Sequence, residues 1–251
     1  MEFLKKYRYV LMIISITALL YEVVTDGLRI ADPTLFPGLP KIALALYASK
    51  YLLLQGIISS LGLLVPSYLL ALVVGITCGI IIGWYKPLRE NLGPLFNGLS
   101  PIPPNLYTPY AIALMPTFYL SSTTIIFIGC LWPILMHTIQ GVVLIEEKYI
   151  DNARTLGLKG FKLLHKVVLP AALPMIFSGA GTSLIFSFIL LTVAEMFGVK
   201  SGLGFFVLYY ADFFDYPRVL AGMFVMSTLI MCILWLFGVV ERRMLFWTIK
   251  R

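Results

Sequence analysis

The sequence predicts an all-α polytopic membrane protein of six transmembrane helices, on three observations. The first is composition: 60% of residues are hydrophobic and 12% charged, with a mean hydropathy of +0.93, whereas soluble domains carry about 25% charged residues. The second is charge-free length. No Lys, Arg, Asp or Glu occurs from Tyr51 to Tyr85 or from Asn91 to Ile145, and each run exceeds the ~20 residues a helix needs to cross a bilayer. The third is the placement of basic residues: 14 of the 19 fall in the amino-terminal start, the Lys86–Glu90 turn, the loop around Arg154 and the carboxyl-terminal tail. Six crossings put these four regions on one side, and the positive-inside rule makes that side the cytoplasm, with both termini in it. A plasma or inner membrane location follows, and residues 1–251 read as a single transmembrane domain.

Each element has its own justification. Met1 to Arg8 is a short basic start, and Val10 to Val24, extending to about Leu28, is the first span. Tyr21-Glu22 is too bulky and charged for the small-residue cleavage site of a signal peptide. Asp26 to Pro40, punctuated by Pro33, Pro37 and Pro40, is a loop, and Ile42 to Leu54 an amphipathic segment at the membrane surface. The second span lies within Tyr51–Tyr85. There Ala71, Gly75, Gly79 and Gly83 recur every fourth residue and form a smooth face for close packing within the subunit.

Asn91 to Ile145 is too long for one span and divides into two, with a turn expected near Ser121-Ser122-Thr123-Thr124. The first of the two carries Pro101, Pro103, Pro104, Pro109 and Pro116. Carbonyls freed by these prolines need partners in a neighbour or in a watery cavity, so this helix either lines a route or is kinked and buried. Pro103, Pro104, Tyr107 and Tyr110 are therefore translocation-path candidates, joined by His137, alone in the following helix, and by Glu195. An ionisable group at membrane depth is a candidate by default, although a satisfied buried histidine is the commoner case. Val167 to Ala194 is the fifth span, placing Glu195 at the outer mouth. Gly198, Gly202, Gly204, Asp212 and Asp215 mark an outer segment with a short helix over Phe205–Phe213, and Val219 to Val240 is the sixth span.

Between spans four and five, residues 146–170 form the only long polar insertion in the second half of the chain. Ile150, Ala153 and Leu156 recur about once per turn on a short amphipathic helix. Gly157 stops that helix in a left-handed conformation, a second short helix leaves from about Lys159, and Leu169-Pro170 ends it before a new apolar run at Ala171.

Several function classes lack their chemistry. There is no Gly-x-x-x-x-Gly-Lys-Ser/Thr loop to hold a nucleotide phosphate, and no His-Glu-x-x-His or Gly-x-Ser-x-Gly constellation for hydrolysis. Cys78, Cys130 and Cys232 sit singly in apolar runs, so neither a disulfide framework, a metal site nor any cofactor is indicated. The net charge of +7 has no aromatic-interleaved basic stripe to bind nucleic acid.

The central loop also carries a resemblance. Asp151-Asn152-Ala153-Arg154-Thr155-Leu156-Gly157 followed by Val168-Leu169-Pro170 resembles the Glu-Ala-Ala-x-x-x-Gly loop of the membrane subunits of binding-protein-dependent ABC importers, with Asp-Asn in place of Glu-Ala. Ser100-Pro101-Ile102-Pro103-Pro104, Ala194-Glu195-Met196, Ser201-Gly202-Leu203-Gly204 and Glu241-Arg242-Arg243 are similar to the nitrate/sulfonate/taurine branch. The resemblance implies a type I importer permease fold and a homodimer working with two cytoplasmic ATPase subunits and an extracytoplasmic solute-binding protein. Ile150, Asp151, Ala153, Leu156, Gly157, Leu169 and Pro170 would then transmit ATPase motion, with no catalytic residue in this chain. The solute it implies is a small anion such as nitrate, a sulfonate or taurine, or alternatively an aromatic vitamin precursor. An ATP-independent secondary transporter, a channel or an intramembrane enzyme are the rival classes.

Overall fold

A charge-free backbone in lipid must satisfy its own hydrogen bonds, and in the computed structural model every regular element among the described residues is helical. The structure describes residues 2–27, 32, 34–197 and 199–248; Arg29, Pro33, Gly198, Lys250 and Arg251 lie outside them. The helices are α1 (Glu2–Glu22), α2 (Leu39–Ala48), α3 (Lys50–Trp84), α4 (Lys86–Leu99), α5 (Thr108–Leu114), α6 (Phe118–Val143), α7 (Glu147–Thr155), α8 (Gly160–Leu163), α9 (Leu169–Phe197), α10 (Leu203–Asp212) and α11 (Tyr216–Met244). Four stretches are long and apolar enough to cross a membrane by themselves: α3, α6, the continuous helix Gly160–Met196 and α11.

The expected surface segment Ile42–Leu54 is split at Ser49, where α2 ends and α3 begins. α1 is tied to the start of α2 and to the turn before it by two hydrogen bonds. The Leu39 amide donates to the Glu22 carboxylate at 2.9 Å, and the Tyr21 hydroxyl donates to the Pro37 carbonyl at 2.9 Å.

The small-residue face of α3 meets α6. A Cβ built on Gly75 would fall 2.8 Å from Ile134, one on Gly79 2.6 Å from Thr138, and one on Gly83 2.8 Å from Val142. Both sequences advance together along this contact, so α3 and α6 run parallel and residues 86–117 must return through the whole depth between them. They do so in pieces rather than as the single proline-rich helix expected. Phe96 of α4 lies edge-on to Trp132 at 5.8 Å, Pro104 abuts Gly129, and Ser121 donates to the Ala111 carbonyl at 3.0 Å. The contacts climb α6 towards its start as the segment proceeds, so the return is antiparallel to α6. A short 3₁₀ turn at Pro104–Tyr107 joins α4's exit to α5.

The turn into α6 is at residues 115–117, not at Ser121–Thr124. Met115 precedes Pro116 and is extended, with φ −89° and ψ 142°, and Thr117 caps α6 by accepting from the Leu120 amide at 3.2 Å. The hydroxyls of Ser121, Thr123 and Thr124 donate to carbonyls four residues back, so a run that reads as a turn is satisfied inside the helix.

α9 runs antiparallel to α6, with Gly179 against His137 and Gly141 against Ala172 and Met175. The core at their junction with α3 contains Ile126, Ile134, Leu63, Leu191 and Ala71, all essentially inaccessible. α11 packs antiparallel on α9, with Phe237 against Phe177 and Gly181 and Met226 against Thr192. With α1 at one edge, the chain crosses six times.

Leu169-Pro170 does not end a helix. α8 passes through a π-helical turn at Leu164–Val168 directly into α9, with the Leu169 amide donating to the Leu164 carbonyl five residues back. The wider turn accommodates the proline, which lacks an amide to donate and whose ring would crowd a regular α turn.

Candidate functional site

The central loop is built around the end of α7. Asp151 and Arg154 pair on its surface at 3.2 Å, Glu147 lies in its first turn and Arg154 in its last, each matching the helix dipole. Gly157 has φ +82°. Its amide donates to the Arg154 carbonyl at 2.9 Å, and the Leu158 amide to the Ala153 carbonyl at 3.0 Å, the two crossed bonds of a Schellman closure. Gly160 is a second positive-φ position, at +54°, that turns the chain into α8.

The expected docking face of Ile150, Ala153 and Leu156 is divided by this geometry. Ala153 is 5% exposed and packed within the chain. Ile150 lines a polar cavity of about 580 Å³ between α7, the end of α3 and the start of α4, together with Asp151, Arg154, Lys86 and Arg89. Only Leu156, 81% exposed, faces outward, and Phe161, 80% exposed and stacked on His165, joins it. Phe161 escaped the sequence reading although an aromatic in a polar loop was the available signal. Leu169 and Pro170 lie half-buried behind this surface, where the π turn meets α9.

The path candidates separate as well. Pro103 and Pro104 line a cleft of about 450 Å³ between residues 100–105, α6 and α9. Gly129, Trp132 and Pro133 form its α6 wall, roughly 17–22 Å down a helix ~39 Å long, which is mid-depth. Tyr107, Tyr110, His137 and Glu195 do not line it. Tyr110 is exposed, and the His137 ring nitrogen Nδ1 pairs with the Pro133 carbonyl at 2.9 Å.

Glu195 lies near the end of α9 that leads to α10. It is fully inaccessible, and its carboxylate Oε2 accepts from the Gly204 amide at 2.7 Å. The Leu203 amide next to it donates to Ser60 of α3 at 3.0 Å. The turn after α9 folds back over the carboxylate because Gly202 has φ +112° and no side chain, and a Cβ there would fall 2.3 Å from the carboxyl carbon. Glu195 is thereby a clasp that fastens the outer turn to the end of α9. Among the described residues no group of His, Cys, Asp and Glu is arranged to hold a metal.

Comparison with known proteins places this architecture. Residues 42–246 match the family model of binding-protein-dependent transport system inner membrane components. The bicarbonate transport system permease protein CmpB of Synechococcus elongatus is 38% identical over 152 residues, which cover 60% of this chain and 54% of CmpB, so the match spans about half of that relative's length. The putative aliphatic sulfonates transport permease protein SsuC of Bacillus subtilis is 28% identical over 230 residues, 89% of this chain and 82% of SsuC. A chain of the MetNI methionine ABC transporter in inward-facing conformations superposes with a TM-score of 0.61 at 18% identity, covering 78% of this chain and 98% of that one, a likeness of fold. With the family model matched over most of its length and six crossings arranged about α3, α6 and α9, the chain belongs to the binding-protein-dependent transport system inner membrane components.

Proposed function

We propose that the chain is the membrane subunit of an ATP-driven importer that moves a small solute by alternating access. The observation that carries this reading is the mechanical continuity of the central loop: α7, closed at Gly157, is followed by one 37-residue helix, Gly160–Met196, which contains α8 and the π turn and is long enough to span the full depth. A push on Phe161 is delivered to α9 as movement of a rod, and α7 is joined to that rod by the short turn at residues 156–159, closed at Gly157. The chain has no phosphate-binding loop, so the energy comes from cytoplasmic ATPase subunits, two of which act on the α7 helices of two copies of this chain. An extracytoplasmic solute-binding protein supplies the solute at the opposite face, near α10. The surplus of Lys and Arg around α7 and in the amino- and carboxyl-terminal segments supports a cytoplasmic side for these regions.

Likeness to permeases named for bicarbonate and aliphatic sulfonates, and the resemblance to the nitrate and taurine branch, support a small anion as the solute. A flat aromatic solute is the second reading, favoured by the uncharged lining of the mid-depth cleft. The experiment is affinity purification of the tagged chain from membranes in which it is expressed with its neighbouring subunits. Co-purification of an ATPase whose hydrolysis rises with solute-loaded binding protein is expected. Solute uptake that persists with a hydrolysis-dead ATPase would make the chain a secondary transporter and overturn the proposal.

A further inference from the structure

Resting on the importer reading, we propose that the cleft between residues 100–105, α6 and α9 is a solute-binding site, selective for a planar, uncharged aromatic or heteroaromatic ring that carries N–H or O–H donors. The lining sets the class. Trp132 and Phe186 supply aromatic surface, Pro103 and Pro104 supply flat apolar rings, and among the described residues no charged side chain and no histidine reaches the cleft. Trp132 is steadied from behind by the edge of Phe96, so its position is fixed before a solute arrives.

The backbone is equally selective. Anion sites in proteins without a cationic side chain are made from clusters of free amide donors, and, among the described residues, positions 100–105 offer a single one, the Asn105 amide at the start of the 3₁₀ turn. Pro101, Pro103 and Pro104 have no amide hydrogen, the Ser100 amide is spent on the Phe96 carbonyl at 2.8 Å, and the Ile102 amide on the Leu99 carbonyl at 3.1 Å. The carbonyls of Ser100, Pro101 and Ile102 accept no backbone hydrogen bond among the described residues. On the facing wall Pro133 removes the amide that the Gly129 carbonyl would otherwise accept in a regular helix. Residues 100–104 and the facing wall thus offer acceptors, and the remaining polar groups, the Ser100 hydroxyl, the Asn105 side-chain and backbone amides and the Trp132 indole N–H, are neutral. Without a cation in its lining, such a site leaves the buried charge of a carboxylate, sulfonate or nitrate without a counter-ion. It suits a ring that stacks on Trp132 and donates from its edge. A cavity of about 450 Å³ falls in the size range of small-molecule sites, about 300–1,000 Å³.

The test uses the chain co-purified with its ATPase subunits, without the solute-binding protein, in equilibrium dialysis. The probes are radiolabelled 2-aminopyrimidine and adenine set against taurine and bicarbonate. At least one heteroaromatic probe is expected to bind about tenfold more tightly than either anion. Trp132→Ala should weaken that binding about tenfold while Trp132→Phe, which keeps a stacking face, weakens it less than about threefold. Asn105→Lys, which adds the missing cation, should bring in taurine binding that the parent protein lacks. Tighter binding of taurine or bicarbonate by the unaltered protein overturns the assignment, as does loss to the same degree in Trp132→Ala and Trp132→Phe, or no Trp132-dependent binding of any probe. ATPase co-purification is scored on the same samples, so an intact complex with the wrong selectivity refutes the site alone, and a chain that binds no ATPase refutes the importer.

Discussion

Gly157 is held at φ +82° with open space where a side chain would stand, since a Cβ there meets no atom within 4 Å. Substitution at this position is therefore a purely conformational perturbation. Gly157→Val forces a β-branched residue into the left-handed region at about 1–2 kcal/mol, against a Schellman closure that sits outside the lipid-buried helices. Normal membrane levels with lost uptake and ATP hydrolysis no longer responsive to the binding protein are expected, and Gly157→Asn, which tolerates that region, should retain most activity. Uptake at the parent rate in Gly157→Val would show that α7 is not the transmission. Ala153 is buried inside the chain, so Ala153→Asp should lower the yield of folded protein, which separates it from a docking-face change such as Leu156→Asp. Gly202 presents the opposite situation, a positive φ with no space. Gly202→Ala drives a methyl group into the Glu195 carboxylate and should destabilise the protein by about 3 kcal/mol, combining strain and overpacking. Thermal unfolding in detergent measures this. Removing the obstacle in Gly202→Ala/Glu195→Ala should return part of the loss, and strict additivity of the two changes would mean that the clasp is not where the cost arises.

Among the elements, the π turn at Leu164–Val168 decides how α7 and α8 are aimed relative to α9. One residue more or less in a helix rotates everything beyond it by about 100°. Pro170→Ala restores the amide that a regular α turn requires, and we expect the turn to tighten and swing Leu156 and Phe161 out of register. The result should be unaltered insertion and weakened ATPase co-purification. Equal recovery of the ATPase with Pro170→Ala would show that the wide turn carries no aim. Near the same end of the bundle, α3 and α6 approach so closely at Gly79 that a Cβ would lie 2.6 Å from Thr138. Gly79→Leu should wedge these helices apart and cost about 1–3 kcal/mol, read as a lower unfolding temperature, whereas Gly62→Leu, at a position with open space, should be tolerated. Equal effects of the two would contradict the packing.

For the molecule as a whole, the parallel run of α3 and α6 requires residues 86–117 to cross the bilayer in pieces, and this fixes the parity of every later element. Lys159 and Asp212 then lie on opposite sides. With Cys78, Cys130 and Cys232 replaced, single cysteines at Lys159 and Asp212 should be labelled by an impermeant maleimide from opposite faces of oriented vesicles. Labelling of both from outside intact cells would break the six-crossing arrangement.

Composition and charge-free run length sufficed for an all-helical membrane protein, because lipid leaves a backbone so few ways to pair its hydrogen bonds. The small-residue face of α3 and the stop at Gly157 were equally legible, since both are properties of one helix and its local turn. What faces what was not. Ser121–Thr124 reads as a turn until its hydroxyls are seen bonding within α6. Leu169-Pro170 reads as a helix end until the π turn absorbs it. Glu195 reads as a charge at an open mouth until Gly202 and Gly204 close over it. Ile150 and Ala153 share a periodicity with Leu156, but the Schellman closure that follows them turns the chain and leaves Leu156 facing outward while the other two face in. Sequence period fixes spacing along one element; only packing between elements decides which side is buried, which carbonyls are left without a donor, and therefore what the mid-depth cleft can hold.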